Sequence, residues 1–420
     1  MTVSSYAQAM PDASMNDRLA DRAFRRLPDP GAVHDEREIE AVVEVLRTSN
    51  LSLGPNVAAC EAAIASLLAK RHGVMVNSGS SAIKLAIELL GFESGDEIIT
   101  PAVTFGTDVA PIVQAGLIPV FVDVHPTTFQ ADVTRIDEMV GPRTRALLIP
   151  NLVGNCPDWD AIRKVADARG LVVIEDSCDV LDSWQGGRRT GERADISVTS
   201  FARGHAITAA GNGGMVGVND DDYLDRCLML RRWGRSSESY LFGSRQGQTD
   251  RHGPLADGTP YDLTFQFEMI GYNFEPSEIG AAYALVQLDK LVEYNRRRQH
   301  NWNRLHELMA DHDELLERPT TTADTLTTWM RYPFLLREGV DRAALQRALT
   351  DRGIATFMVW SGNILRHPAY VNIERRVPAD GLANADAITE RALSLPAHHA
   401  LSSDDLGYMV EVVGEELARL

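Results

Sequence analysis

Short apolar runs alternate with amphipathic stretches along most of this chain, beginning near residue 73. The predicted strands are 73–77, 97–103, 119–124, 146–152, 171–176 and 196–201. The predicted helices between them are 80–90, 108–115 and 158–168. Strands and helices that alternate at this spacing favour a parallel sheet with helices on both faces. The expected fold class is therefore α/β, with a large, doubly wound, mostly parallel sheet.

The pattern changes after about residue 285. A long helical stretch at Glu278–Ala310 is followed by a polar segment at 319–328 and then by a smaller α/β unit. A chain of 420 residues is long enough for two domains. We expect an N-terminal arm at 1–30 with a candidate role in a dimer, a large domain at 31–295, and a small C-terminal domain at 296–420.

Charge and composition narrow the classes of function. The formal net charge is -18, and no run of lysine and arginine forms a basic stripe, so nucleic acid is not an expected partner. The N-terminal segment lacks the apolar core of a signal peptide, and no window of about 18 apolar residues is present, so no membrane association is predicted. The four cysteines are far apart, which is typical of reduced thiols in a cytoplasmic protein and predicts no metal site.

Polar residues that follow the predicted strands are candidates for chemistry, because ligands of doubly wound sheets bind beyond the carboxyl ends of strands. Gly79 and Ser80 lie between a strand and a helix, where free backbone N–H groups can bind an anion. Asp176 ends another strand, and a buried carboxylate there needs a cationic partner such as a protonated ring nitrogen. A helix cap is the alternative interpretation at both places.

Three further candidates follow strands. Ser200 ends a strand and can donate a hydrogen bond to a phosphate. His205 lies five residues later, where its imidazole can act as a general base, and an inert side chain is the alternative. Phe105 follows another strand, where its ring can stack on a flat ligand, and core packing is the alternative.

Five motifs carry more weight together than alone. They are NSGSSA from residue 77, PAVTF from 101, IEDSCD from 174, the segment from Ser200 to His205 with the following NGGMV, and Gly271–Asn273. In this order and spacing they resemble the nucleotide-sugar aminotransferases, which are pyridoxal-phosphate (PLP) enzymes of fold type I. The resemblance runs from about residue 32 to the C-terminus. It implies an aspartate-aminotransferase-like fold.

The resemblance also implies a role for each motif. The residues implied to bind the phosphate are Gly79, Ser80 and Ser200, with Asn273 reaching it from the partner subunit. Around the pyridine ring, Phe105 would stack on its face, Asp176 would pair with its nitrogen and Asp179 would lie near its hydroxyl group. Because Asn273 would act across subunits, the implied assembly is a homodimer with shared active sites.

His205 stands where these aminotransferases have the lysine that bonds covalently to the cofactor. The chain has four lysines, and none is predicted to face the cofactor: Lys70, Lys84, Lys164 and Lys290. The exchange resembles the 3-dehydratase branch of the family. This implies a lyase that uses pyridoxamine phosphate (PMP), with His205 as acid and base and glutamate as amino donor. The implied reaction converts a nucleotide-linked 4-keto-6-deoxyhexose to a 3-deoxy sugar in deoxysugar biosynthesis.

Two alternatives stay open beside the dehydratase. One is a sugar aminotransferase-like enzyme with chemistry that does not need lysine. The other is a catalytically silent relative that binds the cofactor or a sugar.

Some members of the dehydratase branch hold an iron–sulfur cluster on four cysteines. Cys178 matches the first of them, but Ser237 and Ser239 fall at the next two positions, and no cysteine follows Cys227. Serine is a poor substitute for a thiolate ligand of iron. The sequence therefore predicts no cluster.

The C-terminal part supplies the candidates for substrate binding. Its segment at 361–368 matches the same branch, and Asn363 and Arg366 within it are candidates to contact the sugar or its diphosphate, since arginine suits phosphate groups. The His398–His399 pair is expected in a surface loop, and Trp360 is expected to be a packing residue.

Overall fold

Seven strands form the central sheet of the structure, a computed structural model that describes residues 25–28, 33–48, 51–248 and 251–420. In chain order, the strands of the molecule are β1 (His72–Val76), β2 (Glu97–Pro101), β3 (Ile118–Val122), β4 (Thr144–Pro150), β5 (Val172–Asp176), β6 (Trp184–Gln185), β7 (Arg188–Arg189), β8 (Ile196–Ser200), β9 (Gly214–Val218), β10 (His252–Pro254), β11 (Pro260–Asp262), β12 (Leu316–Glu317), β13 (Thr325–Leu326), β14 (Arg331–Leu336) and β15 (Ala392–Pro396). The order across the central sheet is β1-β9-β8-β5-β4-β2-β3. Neighbours from β8 to β3 pair in parallel, and β9 runs antiparallel to both β8 and β1.

Helices connect and cover these strands. They are α1 (Glu36–Thr48), α2 (Pro55–Leu67), α3 (Gly79–Leu90), α4 (Gly106–Gln114), α5 (Ile136–Met139), α6 (Trp159–Arg169), α7 (Asp221–Arg231), α8 (Ser237–Leu241), α9 (Glu278–Leu308), α10 (Arg342–Asp351), α11 (Ala383–Arg391) and α12 (Ser403–Leu417). No helix in the described ranges combines the length and the apolar character that crossing a membrane needs, and the cytoplasmic location stays a prediction.

The apolar character of the strands explains why the sheet is buried. Every residue of β2 and β8 is buried, because each of these strands has a neighbour on both sides and helices cover the sheet. The prediction of an α/β fold with a large, mostly parallel sheet is confirmed. Each predicted strand of this sheet between residues 73 and 201 begins and ends within two residues of the observed one.

A second, smaller sheet of order β12-β14-β15 lies in the C-terminal part, where helices α10 and α11 contact it. Leu305 of α9 belongs to the hydrophobic core around this sheet, whereas Ala281 and Ala284 of the same helix belong to a cluster that includes Met75 of β1. Helix α9 therefore contributes to both cores. The predicted domain boundary at residue 295 falls within α9, and the division into domains stays a prediction.

Only residues 25–28 of the predicted N-terminal arm are described. Leu27 lies in the C-terminal core, and its backbone N–H donates a hydrogen bond to the carbonyl oxygen of Gly353 at 3.3 Å. This short segment is therefore attached to the smaller sheet region. The rest of the arm, with its candidate role in a dimer, lies outside the described residues.

The His398–His399 turn is buried, so the expectation of a surface loop was wrong. The two residues are 6% and 7% exposed. Helix α9 covers them: the ring of His399 stacks on that of Tyr294 at 4.0 Å, and Asn301 Nδ2 donates to the carbonyl oxygen of His398 at 2.8 Å. The sequence around the turn gives no sign of this cover, because the covering residues lie about 100 positions earlier.

Candidate active site

A cavity of about 330 Å³ opens at the carboxyl ends of the central strands. Its wall comes from the segments that follow β1, β2, β4, β5 and β8, with Met330, Arg331 and Trp360 added from the C-terminal part. This is the position that parallel sheets use for ligands. Seven of the sequence-predicted site residues line it together: Gly79, Ser80, Phe105, Asp176, Asp179, Ser200 and His205.

The first turn of α3 and the end of β8 form a cradle for an anion. Ser78 caps α3, because its Oγ accepts a hydrogen bond from Ser81 N at 3.1 Å. A Cβ atom at Gly79 would lie 2.6 Å from the Cβ atom of Ser200, so only glycine allows this close approach of strand and helix. The cap uses Ser78, and the positive end of the helix is left to face the cavity through Gly79 and Ser80. The helix cap is therefore confirmed, and anion binding by Gly79 and Ser80 stays a prediction.

Two carboxyl groups lie together in the floor of the cavity. Asp176, the last residue of β5, is 7% exposed, and its Oδ1 accepts a hydrogen bond from Cys178 N at 2.9 Å. Asp108 in the first turn of α4 is fully buried, and its Oδ2 accepts a hydrogen bond from Thr104 Oγ1. Burial raises the pKa of both carboxyl groups, and the charge of Asp176 raises the pKa of Asp108 further. Asp108 therefore holds a proton, and Asp176 is the carboxylate that a ring cation would meet.

Phe105 and Trp360 form an aromatic side of the cavity. Their ring centroids lie 5.3 Å apart in an edge contact, and Phe105 is 50% exposed. This exposure leaves the ring of Phe105 free to stack on a flat ligand and argues against core packing. Trp360 is more than the packing residue expected from the sequence, because its Nε1 donates a hydrogen bond to Asp179 Oδ2 at 2.8 Å.

His205 enters the cavity on a turn that helix α9 holds in place. Arg298 of α9 donates hydrogen bonds to the carbonyl oxygens of His205, at 3.0 Å, and Ala206, at 2.9 Å. The imidazole Nδ1 lies 3.7 Å from Asp179 Oδ1, which is beyond hydrogen-bond distance, and has no hydrogen-bond partner among the described residues. Burial lowers the pKa of His205 to about 4, and the charge of Arg331 contributes. The imidazole is therefore neutral at pH 7, the form that can accept a proton.

None of the four lysines, all of which are described, lines the cavity. Lys70 Nζ donates to the carbonyl oxygens of Gly191 and Ala194, Lys84 pairs with Glu88, Lys290 pairs with Glu38, and Lys164 is exposed on α6. Each lies on an element away from the turn of His205. No lysine amine is therefore placed to bond with a ligand in the cavity.

Three sequence-predicted residues lie outside the cavity wall: Asn273, Asn363 and Arg366. Asn363 Nδ2 donates to Asp386 Oδ1 at 2.9 Å, and Arg366 pairs with the carboxylate of Glu390 at 2.9 Å. The charge of Arg366 is thus already balanced on the surface, and a role of either residue in substrate binding stays a prediction. Asn273 is exposed, and its predicted role across subunits likewise stays a prediction.

Sequence reasoning missed Asp108, Arg331 and Trp360. Asp108 could have been found, because it is a polar residue in the turn after β2, where ligands of such sheets bind. Arg331 and Trp360 gave no local signal, since packing of the smaller sheet region against the large one brings them to the cavity.

No group of three or more histidine, cysteine, aspartate or glutamate residues in the described part of the chain is arranged to hold a metal ion. Cys178 lines the cavity, whereas the other three cysteines are buried in three separate hydrophobic clusters. Ser237 and Ser239, at the positions where a cluster would need thiolates, are buried, with their hydroxyl groups bonded to backbone carbonyl oxygens. The donor set does not fit an iron–sulfur cluster.

Known proteins share both the sequence and the fold of this chain. The sequence model of the DegT/DnrJ/EryC1/StrS aminotransferase family matches residues 33–414. The dTDP-4-dehydro-2,6-dideoxy-D-glucose 3-dehydratase of Saccharopolyspora spinosa is 35% identical over 402 residues, which cover 93% of this chain and 86% of the relative.

Solved structures of related proteins superpose well. GDP-4-keto-6-deoxymannose 3-dehydratase, in the E. coli enzyme with hydrated PLP and in a complex with a trapped PLP–glutamate geminal diamine, gives a TM-score of 0.82 at 26% identity, over 93% of this chain and 100% of that one. The S. venezuelae protein DesV in complex with a ketimine intermediate gives a TM-score of 0.79 at 27% identity, over 97% of each chain.

Proposed function

Because this chain belongs to the DegT/DnrJ/EryC1/StrS aminotransferase family, we propose that it is a PMP-dependent 3-dehydratase of a nucleotide-linked 4-keto-6-deoxyhexose. His205 is its acid and base, and glutamate is its amino donor. One observation carries the proposal: a neutral imidazole lines a cavity that no lysine reaches.

The cavity fits the cofactor of this PLP-dependent family. The helix end at Gly79 accommodates a phosphate, the exposed face of Phe105 accommodates a planar ring, and the buried carboxylate of Asp176 accommodates a protonated ring nitrogen. Asp108 supports this carboxylate, because a side-chain hydrogen bond between the two groups lowers the pKa of Asp176 and raises that of Asp108. When bound, PMP supplies an amine that condenses with the 4-keto group and a ring that withdraws electrons.

His205 then moves the protons. As a neutral base, the imidazole would take a proton from the methylene carbon of the bound cofactor, and as an imidazolium it would give a proton to the 3-hydroxyl group, which leaves as water. Asp179, whose Oδ1 lies 3.7 Å from His205 Nδ1, stabilises the imidazolium between these two steps. Walls that bury both groups exclude bulk water during the transfer.

The absence of lysine from the cavity wall favours dehydration over amino transfer. A lysine amine would bond covalently with the cofactor and return protons along the route that yields an amino sugar. An imidazole cannot form that bond, so the cofactor stays free in its amine form. The curated relative from S. spinosa, named as a 3-dehydratase, supports this assignment.

The second candidate function is that of a sugar aminotransferase-like enzyme without a lysine, and the fold similarity to DesV favours it. Its product would keep the 3-hydroxyl group and gain an amine. The dehydratase product would instead keep its 4-keto group and have CH2 in place of CH(OH) at C-3, a net loss of one oxygen atom. The two electrons come from the cofactor, which would change from PMP to PLP as its nitrogen is released as ammonia. The two candidates therefore differ in the mass of the product.

Mass spectrometry of the products decides between these functions. The PMP-loaded protein is incubated with glutamate and a panel of 4-keto-6-deoxy nucleotide sugars. We expect loss of the 3-hydroxyl group with the native protein and no product with His205→Asn. An amino sugar that keeps its 3-hydroxyl group, or a borohydride-reducible cofactor adduct on any lysine, would refute the proposal.

A further inference from the structure

Arg331, the first residue of β14, places a guanidinium group in the cavity wall. The guanidinium carbon lies 3.7 Å from the ring centroid of Phe357 and 5.4 Å from that of Trp360. Within the described ranges, its side chain forms no hydrogen bond and no ion pair. The group is therefore held by aromatic faces, and its N–H donors are left without acceptors.

A guanidinium group in the wall of a cavity, with aromatic rings around it, is suited to bind an anion. A guanidinium carries five N–H donors and stays charged in proteins, and desolvating it without acceptors costs free energy. Burial lowers the pKa of Arg331, and the charge of Asp179 opposes this shift. A ligand carboxylate would satisfy two of the donors at once in a bidentate pair.

The place of Arg331 shows which anion fits. Its charge acts on both His205 and Asp179, so it lies beside the groups that handle protons. It also lines a second cavity of about 240 Å³, which extends past the first toward Phe357 and Pro396. A ligand that reacts next to His205 can therefore contact Arg331 and extend into additional space.

The geometry points to Arg331 as the residue that binds the α-carboxylate of the amino donor, an inference that rests on the proposed function. The donor nitrogen must reach the carbon that His205 faces, and an α-carboxylate is only two bonds from that nitrogen. The diphosphate of a nucleotide sugar is attached at C-1, across the sugar ring from the reacting C-4. Glutamate transfers its amino group to the cofactor aldehyde and leaves as 2-oxoglutarate, so atoms and electrons balance without a further reactant.

The amine-donor half-reaction tests this inference apart from dehydration. The PLP-loaded protein is mixed with glutamate, and the change of the cofactor spectrum gives an apparent dissociation constant and a rate. We expect Arg331→Gln to raise that constant by about 10- to 100-fold. Arg331→Lys keeps the charge but not the bidentate geometry and should recover only part of the affinity. Arg296→Gln removes an arginine paired with Glu293 on the exposed face of α9 and should change nothing.

Norvaline, which lacks the side-chain carboxylate, identifies the carboxylate that is bound. If Arg331 binds the α-carboxylate, Arg331→Gln should raise the apparent dissociation constants of glutamate and norvaline by the same factor. If only glutamate is weakened, or if only the KM of the nucleotide sugar rises, the inference is wrong. Calorimetric titration of 2-oxoglutarate into the PLP-loaded protein gives a second readout that needs no turnover, and the same loss is expected there.

Failure of the proposed function gives a different result. In a single turnover of the protein preloaded with PMP, dehydration of the sugar needs no glutamate. If the native protein does not dehydrate the sugar but reacts normally with glutamate, the proposed dehydratase function is wrong, and the role of Arg331 is unaffected. If Arg331→Gln dehydrates the sugar normally and its apparent dissociation constant for glutamate is unchanged, the role of Arg331 is wrong, and the dehydratase function is unaffected.

Discussion

The Nδ1 atom of His205 lies 3.7 Å from the Oδ1 atom of Asp179 in the wall of one cavity. Burial acts on the two groups in opposite directions: it lowers the pKa of His205 to about 4 and raises the pKa of Asp179 to about 7. At neutral pH the imidazole is uncharged, and the carboxyl group is close to half ionised. Of the two groups, the carboxyl group therefore holds a proton more readily, and in its ionised form it can stabilise an imidazolium formed at His205.

Asp179→Asn should make stability less dependent on pH. The pKa of this carboxyl group rises from 3.8 to about 7 on folding, so the folded state keeps a proton that the unfolded chain has lost, and stability falls as the pH rises through this window. Asparagine does not titrate, and its oxygen can accept the hydrogen bonds that Val153 N and Trp360 Nε1 both donate to Oδ2. We expect the free energy of unfolding of the variant, relative to the native protein, to increase by about 2 kcal/mol from pH 5.5 to pH 8 in urea titrations.

His205→Asn is the matched control for that experiment. The pKa of His205 falls from 6.5 to about 4 on folding, so the native protein loses stability as the pH falls through this window. The difference between His205→Asn and the native protein should therefore change below about pH 6.5 and stay constant from about pH 7 to pH 8. An Asp179→Asn curve parallel to the native one from pH 5.5 to pH 8 would mean that Asp179 does not titrate there.

Asp108→Asn should be far milder than Asp176→Asn. Burial and the charge of Asp176 raise the pKa of Asp108 well above its usual value, so Asp108 is already neutral, and asparagine can accept the same hydrogen bond from Thr104. We expect its free energy of unfolding to change by less than about 1 kcal/mol. Asp176→Asn removes the carboxylate that we propose as the partner of the ring nitrogen and should lower kcat by about 10²-fold or more. Equal losses of activity in the two variants would show that Asp108 is ionised.

The strands and the site at their ends could be predicted because both depend on local sequence. Buried parallel strands must be apolar, and the chain after each strand reaches the same edge of the sheet, so Asp176, Ser200 and His205 meet as expected. In this part of the chain, the strands predicted from apolar runs are therefore the strands that form the sheet, and the residues that follow them line the cavity.

The residues from the C-terminal part could not be predicted in this way. Arg331 begins a strand of the smaller sheet, and Trp360 lies in a turn between elements. Their place in the cavity depends on how the smaller sheet packs against the large one, and contacts across more than 150 positions leave no periodic signal. The same reason hides the burial of His398 and His399 beneath α9.

Gly79→Ala should disturb the anion cradle. The added Cβ atom would lie 2.6 Å from Cβ and 3.0 Å from Oγ of Ser200, so strand and helix must move apart. Overpacking of this kind costs about 1–3 kcal/mol, and we expect weaker binding of PLP in a spectral titration and a lower Tm. Gly407→Ala in α12 is the control, because nothing lies within 4 Å of its added Cβ atom and alanine favours a helix. If Gly79→Ala binds PLP as tightly as the native protein, this turn does not bind the phosphate of the cofactor.

Mixed dimers test the predicted role of Asn273 across subunits. Asn273 is exposed and outside the cavity, and large apolar side chains close to it in sequence are also exposed: Phe265 at 55%, Phe267 at 62% and Ile270 at 98%. Such a patch is typical of a surface that another protein covers. In a homodimer with shared sites, one subunit with Asn273→Ala and one with His205→Asn would together form one intact site and one doubly altered site. Equal mixing by unfolding and refolding should then restore about a quarter of the native activity from two inactive proteins. If the mixture stays inactive although sedimentation shows dimers, Asn273 acts within its own subunit or not at all.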